Sequence, residues 1–395
     1  MSIYLNALGI VNPIGNDKEE VARALFSGTR AGLSERSDLI PNRTLRAGVV
    51  RSDLPEIPDW LGYLDCRNNR LALAALRQIE CEITDAKRRY GADRIAVVMG
   101  TSTSGIAEGE TAVATRMAQG HWPPEFQYSQ QEIGGLAEFV AEYFEISGPA
   151  YVIATACSSS GKVFASAARL LRAGICDAAV VGGTDTLCRL TLNGFAALEA
   201  LAADYCNPFS RNRDGINIGE GAAIFLMTRE PSSVSLLGVG ESSDAHHISA
   251  PDPEGTGAIR AMRLALESAG LRPEQIDYVN LHGTATSLND VMEGRAIASV
   301  FGGRVPCSST KAMTGHMLGA AAAGEAGFLW LALHPEFSAG SVPPHLWDGE
   351  ADPQIPPLHY STVETRLDPR GRCAMLSNSF AFGGSNVALV LGRGW

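Results

Sequence analysis

The chain lacks paired cysteines, a surplus of positive charge and any long uncharged apolar run, and each absence removes a class of function. Its eight cysteines, at positions 66, 81, 157, 176, 188, 206, 307 and 373, form no CxxC pair and no cluster. Zinc-ligand spacing is therefore missing, and a chain of 395 residues needs no disulfide framework to fold. Thirty-two basic residues against 43 acidic ones leave a formal net charge of −11, which argues against a general grip on a nucleic-acid backbone. The least polar stretch, residues 317–333, is rich in Ala and Gly and carries Glu325. It falls short of the roughly 18 to 20 strongly apolar residues of a membrane span, so a helix buried in protein is expected. The opening MSIYLNALGIVNPIG has no basic segment ahead of its apolar run and reads as a strand, with the cytoplasm as expected location. GxGxxG, P-loop, HExxH and EF-hand patterns are also missing, which removes the common nucleotide and metal classes; no metal ligand set is assigned.

What is present is glycine, 42 residues of it with no three-residue period, together with short apolar runs. Runs at 94–99, 151–154, 178–181, 222–227, 278–281, 374–376 and 387–391 show little alternation, as central strands covered on both faces do. Helical patterns lie between them at 70–90, 161–172, 257–269 and 320–333. The alternation predicts an α/β chain with buried mixed sheets. A loose repeat is also visible: a strand, TACSSSG and an Ala-rich helix in one half, and a short strand, CSSTKAMTGH and an Ala-rich helix in the other. Division near residue 232 gives halves 1–232, with Cys157, and 233–395, with His282 and His316. Residues 341–360 hold five prolines and are expected as a surface loop or extended connection.

Several residues carry possible chemistry. An apolar strand delivers Cys157 to a turn of small residues at the start of a helix, where amides and dipole are expected to lower its pKa; a buried inert thiol is the competing reading. His282 ends the run YVNL and His316 precedes the small-residue helix, both beside glycine, where a ring can face a cleft. His246, His247, His334, His345 and His359 read as surface groups. Lys311 and Glu325 sit among small or apolar residues, so burying either demands a partner; Glu293 is the acid expected beside Lys311. In SNSFAFGGSN, Gly383 and Gly384 allow close approach of backbone to a ligand, although a plain turn would use the same residues.

The strings TACSSS, NPFSRNRDGINIGEGAA, VNLHGTATSLNDVMEGRA, STKAMTGHMLGAAAAGEA and LSNSFAFGGSNVALVLG, ordered along the whole chain, resemble the elongating β-ketoacyl-acyl-carrier-protein synthases. The resemblance implies a thiolase-like fold, two similar halves stacked as α-β-α-β-α layers, and a dimer. It implies that Cys157 accepts an acyl chain and that His282 and His316 bind the malonyl thioester and promote decarboxylation. Lys311 and Glu325 would support them, the amides of Cys157 and Phe382 would form an oxyanion hole, and Thr284 and Thr286 would contact the phosphopantetheine arm. No bound cofactor is implied, because acyl carrier protein brings both substrates.

Two features depart from the common pattern. Ala381 stands where glycine usually precedes the gating phenylalanine, which puts gate mobility in doubt. The segment GGTDTLCRLTLNGFAALEAL is similar to synthases of aryl-polyene and related pathways, some of which pair with a chain-length-factor homologue lacking the cysteine; homodimer and heterodimer both stay open. An acidic chain serving an acidic carrier requires a local basic patch, for which Arg67, Arg70, Arg211 and Arg213 are the candidates. A non-elongating acyltransferase, a thioester hydrolase or a tunnel-shaping partner subunit are the alternative functions.

Overall fold

The computed structural model describes residues 2–395. Ten of its strands form two arrays of five. The first holds β1 (Tyr4–Val11), β2 (Ile95–Gly100), β3 (Ala150–Ile153), β4 (Ala178–Asp185) and β5 (Gly221–Thr228), in spatial order β1-β5-β4-β2-β3. The second holds β6 (Ser235–Ser243), β7 (Tyr278–Asn280), β8 (Pro306–Ser308), β9 (Cys373–Phe380) and β10 (Ser385–Arg393), in order β6-β10-β9-β7-β8. Taken in chain order, each array reads first, fifth, fourth, second, third. Polarity repeats as well, with two antiparallel pairings followed by two parallel ones in both arrays. The loose repeat in the sequence is thus a repeat of topology. The arrays join where Tyr4 of β1 pairs with Ser235 of β6.

The helices that matter for the site are α1 (Arg67–Leu76), α2 (Ile106–Gln119), α3 (Gly135–Tyr143), α4 (Ser159–Arg172), α5 (Arg189–Ala197), α6 (Thr256–Ala269), α7 (Ser287–Phe301) and α8 (Ala321–Leu333). α4 and α8 pack on each other between the arrays; α1 and α3 cover the first array from outside, and α6, with α7 against it, covers the second. Three apolar cores follow these layers. The central one includes Phe164 of α4 edge-on to Phe225 of β5, ring centres 5.3 Å apart. Every residue of β4, β5 and α8 is buried, which explains why none of the three alternates in polarity. The result is the layered thiolase-like α/β fold, and no helix among the described residues is long and apolar enough to cross a membrane.

The structure departs from expectation in two places. β6 gave no apolar run because Gly238 and Gly240 interrupt it. The backbone of α6 crosses there so closely that a Cβ on Gly240 would sit 1.9 Å from the Ala261 carbonyl oxygen. The Pro-rich segment is extended, as expected, but residues 341–345 are buried and exposed positions begin only at 348.

Because α6 has no room to retreat from β6, Gly240→Ala is expected to destabilise the chain by at least about 1–3 kcal/mol. Gly62→Ala, with open space around it, should leave the urea midpoint nearly unchanged. Equal midpoints for the two variants would contradict this packing.

Candidate active site

Cys157 lies in the tight turn between β3 and α4. Ala156 before it has φ of 51°, a left-handed conformation that costs a residue with a Cβ about 1 kcal/mol or more. The turn aims the Cys157 sulfur away from the helix, and His316 Nε2 lies 3.0 Å from Sγ. The backbone amides of Phe382 and of Cys157 itself also point at the sulfur. Even so, burial pushes the thiol up to about 11, and the Lys311 charge and these amides offset only part of that rise. The expectation of a pKa lowered by the helix terminus is therefore corrected: desolvation outweighs the dipole.

His282 stands at the end of β7, and its ring lies 5.4 Å from that of His316 and nearly perpendicular to it. Donor atoms of Cys157, His282 and His316 all fall within 4.8 Å of one another. Burial, then the charge of Lys311, holds both imidazoles well below the ordinary histidine range, so both are neutral at physiological pH. A cysteine and two histidines are also zinc-type donors, but the Lys311 ammonium that bears on all three opposes a dication there.

Lys311 and Glu325 are each about 2% exposed and form an ion pair with each other. The same ammonium donates to the carbonyl oxygen of His282. Glu293 is not its counter-ion, contrary to expectation. Its two carboxylate oxygens instead accept from the amides of His282 and Gly283, at 2.7 Å each, and burial raises it to about 7. It fixes the loop that carries the histidine.

Cys157, His282 and His316 line a cavity of about 390 Å³ together with Thr284, Thr286, Phe380 and Phe382. The Phe382 ring lies 5.7 Å from Phe195 of α5. Ala381 has negative φ, whereas Gly383 and Gly384 have φ of 82° and 76°. The conformations only glycine takes easily thus fall after the phenylalanine, and Ala381 is unstrained in this state. Gly383 and Gly384 turn the chain from β9 into β10 and do not line the cavity.

The expected basic patch is corrected too. Arg213 lines the cavity but is buried and paired with Asp352. Arg211 is exposed and faces Glu350. Arg67 pairs with Glu220 and Arg70 with Asp65, beside a second cavity of about 500 Å³ that also contains Glu108 and Glu125. All four guanidinium groups have an acidic partner, so they supply little net positive charge.

Sequence reasoning missed other buried polar groups. Asp185, at the end of β4, accepts from the amides of Ser102 and Thr103, the hydroxyls of Thr101 and Thr103, and the amide of Ala320. It clamps the loop after β2 to the start of α8. Asp290 accepts from the amides of Phe209 and Ala285. His334 and His345, read as surface groups, are buried; His334 packs on Trp330, one helical turn earlier, and His345 on Tyr360, which the sequence does not place beside it. An acid inside a small-residue run, as in GGTDT and NDVMEGRA, was the available signal for the two aspartates.

Comparison with known proteins gives a consistent result. The β-ketoacyl synthase N-terminal domain matches residues 69–232 and the C-terminal domain residues 234–346. The chain is 31% identical to 3-oxoacyl-[acyl-carrier-protein] synthase 2 of Synechocystis sp., over 98% of this chain and 97% of that protein. It is 30% identical to the enzyme of the same name from Coxiella burnetii, over 99% and 98%. Among solved structures it is similar to the ketosynthase ApeO, in complex with its chain length factor ApeC, from Xenorhabdus doucetiae. That match has 45% identity and a TM-score of 0.94, over 99% of this chain and 98% of that one. The ishigamide ketosynthase/chain length factor follows at 27% identity and 0.86, over 99% of each chain.

Lys311→Met leaves Glu325 buried without its cation and is expected to cost about 3–5 kcal/mol. Adding Glu325→Leu should recover most of that loss. Chemical denaturation of the two variants checks this, and a double variant no more stable than the single one would show that the pair is not the controlling interaction.

Proposed function

The chain belongs to the β-ketoacyl synthase family, and from that premise we propose how its residues divide the work of an elongating β-ketoacyl-acyl-carrier-protein synthase. The observation that carries the reading is the neutral trio of Cys157, His316 and His282 at the floor of one cavity. In the first half-reaction His316 Nε2 takes the proton from Cys157 as Sγ attacks the acyl thioester carbonyl. The amides of Cys157 and Phe382 receive the oxyanion, and the carrier thiol leaves with the proton. In the second half-reaction the neutral rings of His282 and His316 donate hydrogen bonds to the malonyl thioester oxygen. Loss of carbon dioxide then leaves an enolate, whose carbon attacks the acyl group on Cys157. A new carbon–carbon bond replaces the carbon–sulfur bond, and the released Cys157 thiolate takes up one proton from solvent through His316, replacing the one that left with the carrier thiol. Lys311, anchored by Glu325, reinforces the burial that keeps both rings neutral; Thr284 and Thr286, which line the cavity, contact the phosphopantetheine arm; the loop carrying Phe382 opens and closes the acyl side. Hydrolysis by the same trio is not favoured, because relatives over the full length are condensing enzymes.

The substrates arrive on acyl carrier protein, and the enzyme needs no bound cofactor. The carrier docks at the cavity mouth beside exposed Leu198 and Leu288, and Arg211, the exposed one of the four candidate arginines, must exchange Glu350 for an acid of the carrier to take part. The second proposed partner is a chain-length-factor-like homologue. In support, β3 is an unpaired sheet edge whose Tyr151, Val152 and Ile153 are half-exposed, and such edges call for a partner or a cover. The chain is also more similar to a ketosynthase solved with its chain length factor than to the curated synthases, which supports a specialised pathway such as aryl-polyene synthesis. Within the chain, residues 1–232 and 233–395 serve as the two halves, one supplying the nucleophile and the other the histidines.

Incubation with acyl- and malonyl-carrier protein, read by intact mass, tests these roles. Cys157→Ala should abolish acylation. His282→Ala should keep acylation within a few-fold but slow decarboxylation by roughly 10²-fold or more, and His316→Ala should slow both. Acylation of the Cys157→Ala variant, or normal condensation by His282→Ala, would overturn the assignment. Because both rings are already neutral, neither should titrate as pH falls from about 8 to about 6. Glu293, raised to about 7, does titrate there, and its protonation loosens its hold on the His282 and Gly283 amides. Decarboxylation should therefore fall through about pH 7, and Glu293→Gln should flatten the profile. A pH dependence that survives in Glu293→Gln would mean that one ring acts as a cation.

A further inference from the structure

We propose that His345 is a positioning residue for the decarboxylating half of the site, acting through Ser309, Phe209 and Gly283 on the loop that carries His282; this rests on the synthase reading above. His345 is buried and touches neither the cavity nor Cys157. Its Nδ1 accepts from the amide of Ser309 at 3.1 Å, so its Nε2 carries the proton and donates to the carbonyl of Pro208, also at 3.1 Å. Burial holds the ring down to about 3, which keeps this single tautomer in place at any working pH. The ring stacks on Tyr360 at 4.4 Å and meets Phe209 edge-on at 6.0 Å.

Both protein groups held by His345 press on Gly283, the residue after His282. Ser309 donates its hydroxyl to the Gly283 carbonyl at 2.7 Å. A Cβ on Gly283 would lie 2.5 Å from the Ser309 Cβ and 3.0 Å from the Phe209 ring. Gly283, with φ of 41°, is thus gripped from two sides, and one buried ring sets the position of both grips. Ser309 also accepts from the amide of Lys311 through its hydroxyl, at 3.3 Å, so the same ring steadies the start of the segment that carries the ammonium. Cys157, on the opposite half of the molecule, is reached by none of these contacts. Loss of His345 should therefore separate the two half-reactions, because a small displacement of His282 misaims a donor without moving the nucleophile.

The test uses the full chain with His345→Phe, His345→Asn and Ser309→Ala, each assayed for acylation of Cys157 by acyl-carrier protein and for malonyl-carrier-protein decarboxylation. His345→Phe keeps a planar aromatic ring, somewhat larger than imidazole, but removes both hydrogen bonds. It is expected to lower decarboxylation kcat about tenfold, with KM and acylation within about twofold. His345→Asn, whose Oδ1 can take the place of Nδ1, should restore most of the lost kcat. Ser309→Ala should reproduce the selective loss, and it carries the test if His345→Phe does not fold. A parallel fall in both half-reactions, or no change in either, overturns the positioning role. Wild-type protein that neither acylates nor decarboxylates would instead overturn the synthase reading on which the inference rests.

Discussion

The site depends on one buried ion pair. Lys311 and Glu325 lie where either charge alone would be strongly disfavoured, and together they put a fixed positive charge beside three groups that must change protonation or polarity during a reaction. That charge adds to the burial that keeps two imidazoles neutral and softens, without cancelling, the desolvation of the thiol. It also explains why α8 tolerates a glutamate in an otherwise small and apolar helix. The lysine joins the two elements physically, since its ammonium reaches both the His282 carbonyl and the carboxylate on α8.

Around this pair the acids act as clamps on backbone. Glu293 holds the amides after β7, Asp290 holds those of Phe209 and Ala285, and Asp185 ties the loop after β2 to the start of α8. In each case the carboxylate satisfies amides that have no partner in a helix or strand, so a loop is held as firmly as a strand would be. In this way the turns that build the site find partners for their backbone amides.

Much of the fold was legible because its strands are short, apolar and separated by long helical patterns, and because the repeat left its trace in two similar strand–turn–helix strings. Cys157, the two histidines and the buried pair were legible as polar residues set among small ones. What could not be read were relations across space. Glu293 was near Lys311 in the chain's logic but bonds to amides instead, and His345 lay in a polar, Pro-rich string yet is enclosed by Tyr360, Phe209 and Trp347. The thiol misled for a different reason: a helix terminus is visible in sequence, whereas the depth of burial that outweighs it is set by the other half of the molecule. Three of the arginines show the same limit, since the acidic partners of Arg67, Arg211 and Arg213 lie far along the chain; Asp65, five residues before Arg70, was within reach of the sequence.

A thiol held neutral near 11 has a consequence for the enzyme between turnovers. Peroxide and stray electrophiles react with thiolate, and the fraction of thiolate on such a group at neutral pH is about one in ten thousand. The resting enzyme therefore carries Cys157 in a chemically quiet form. Only a thioester bound within reach of both the sulfur and His316 meets a sulfur whose proton has somewhere to go.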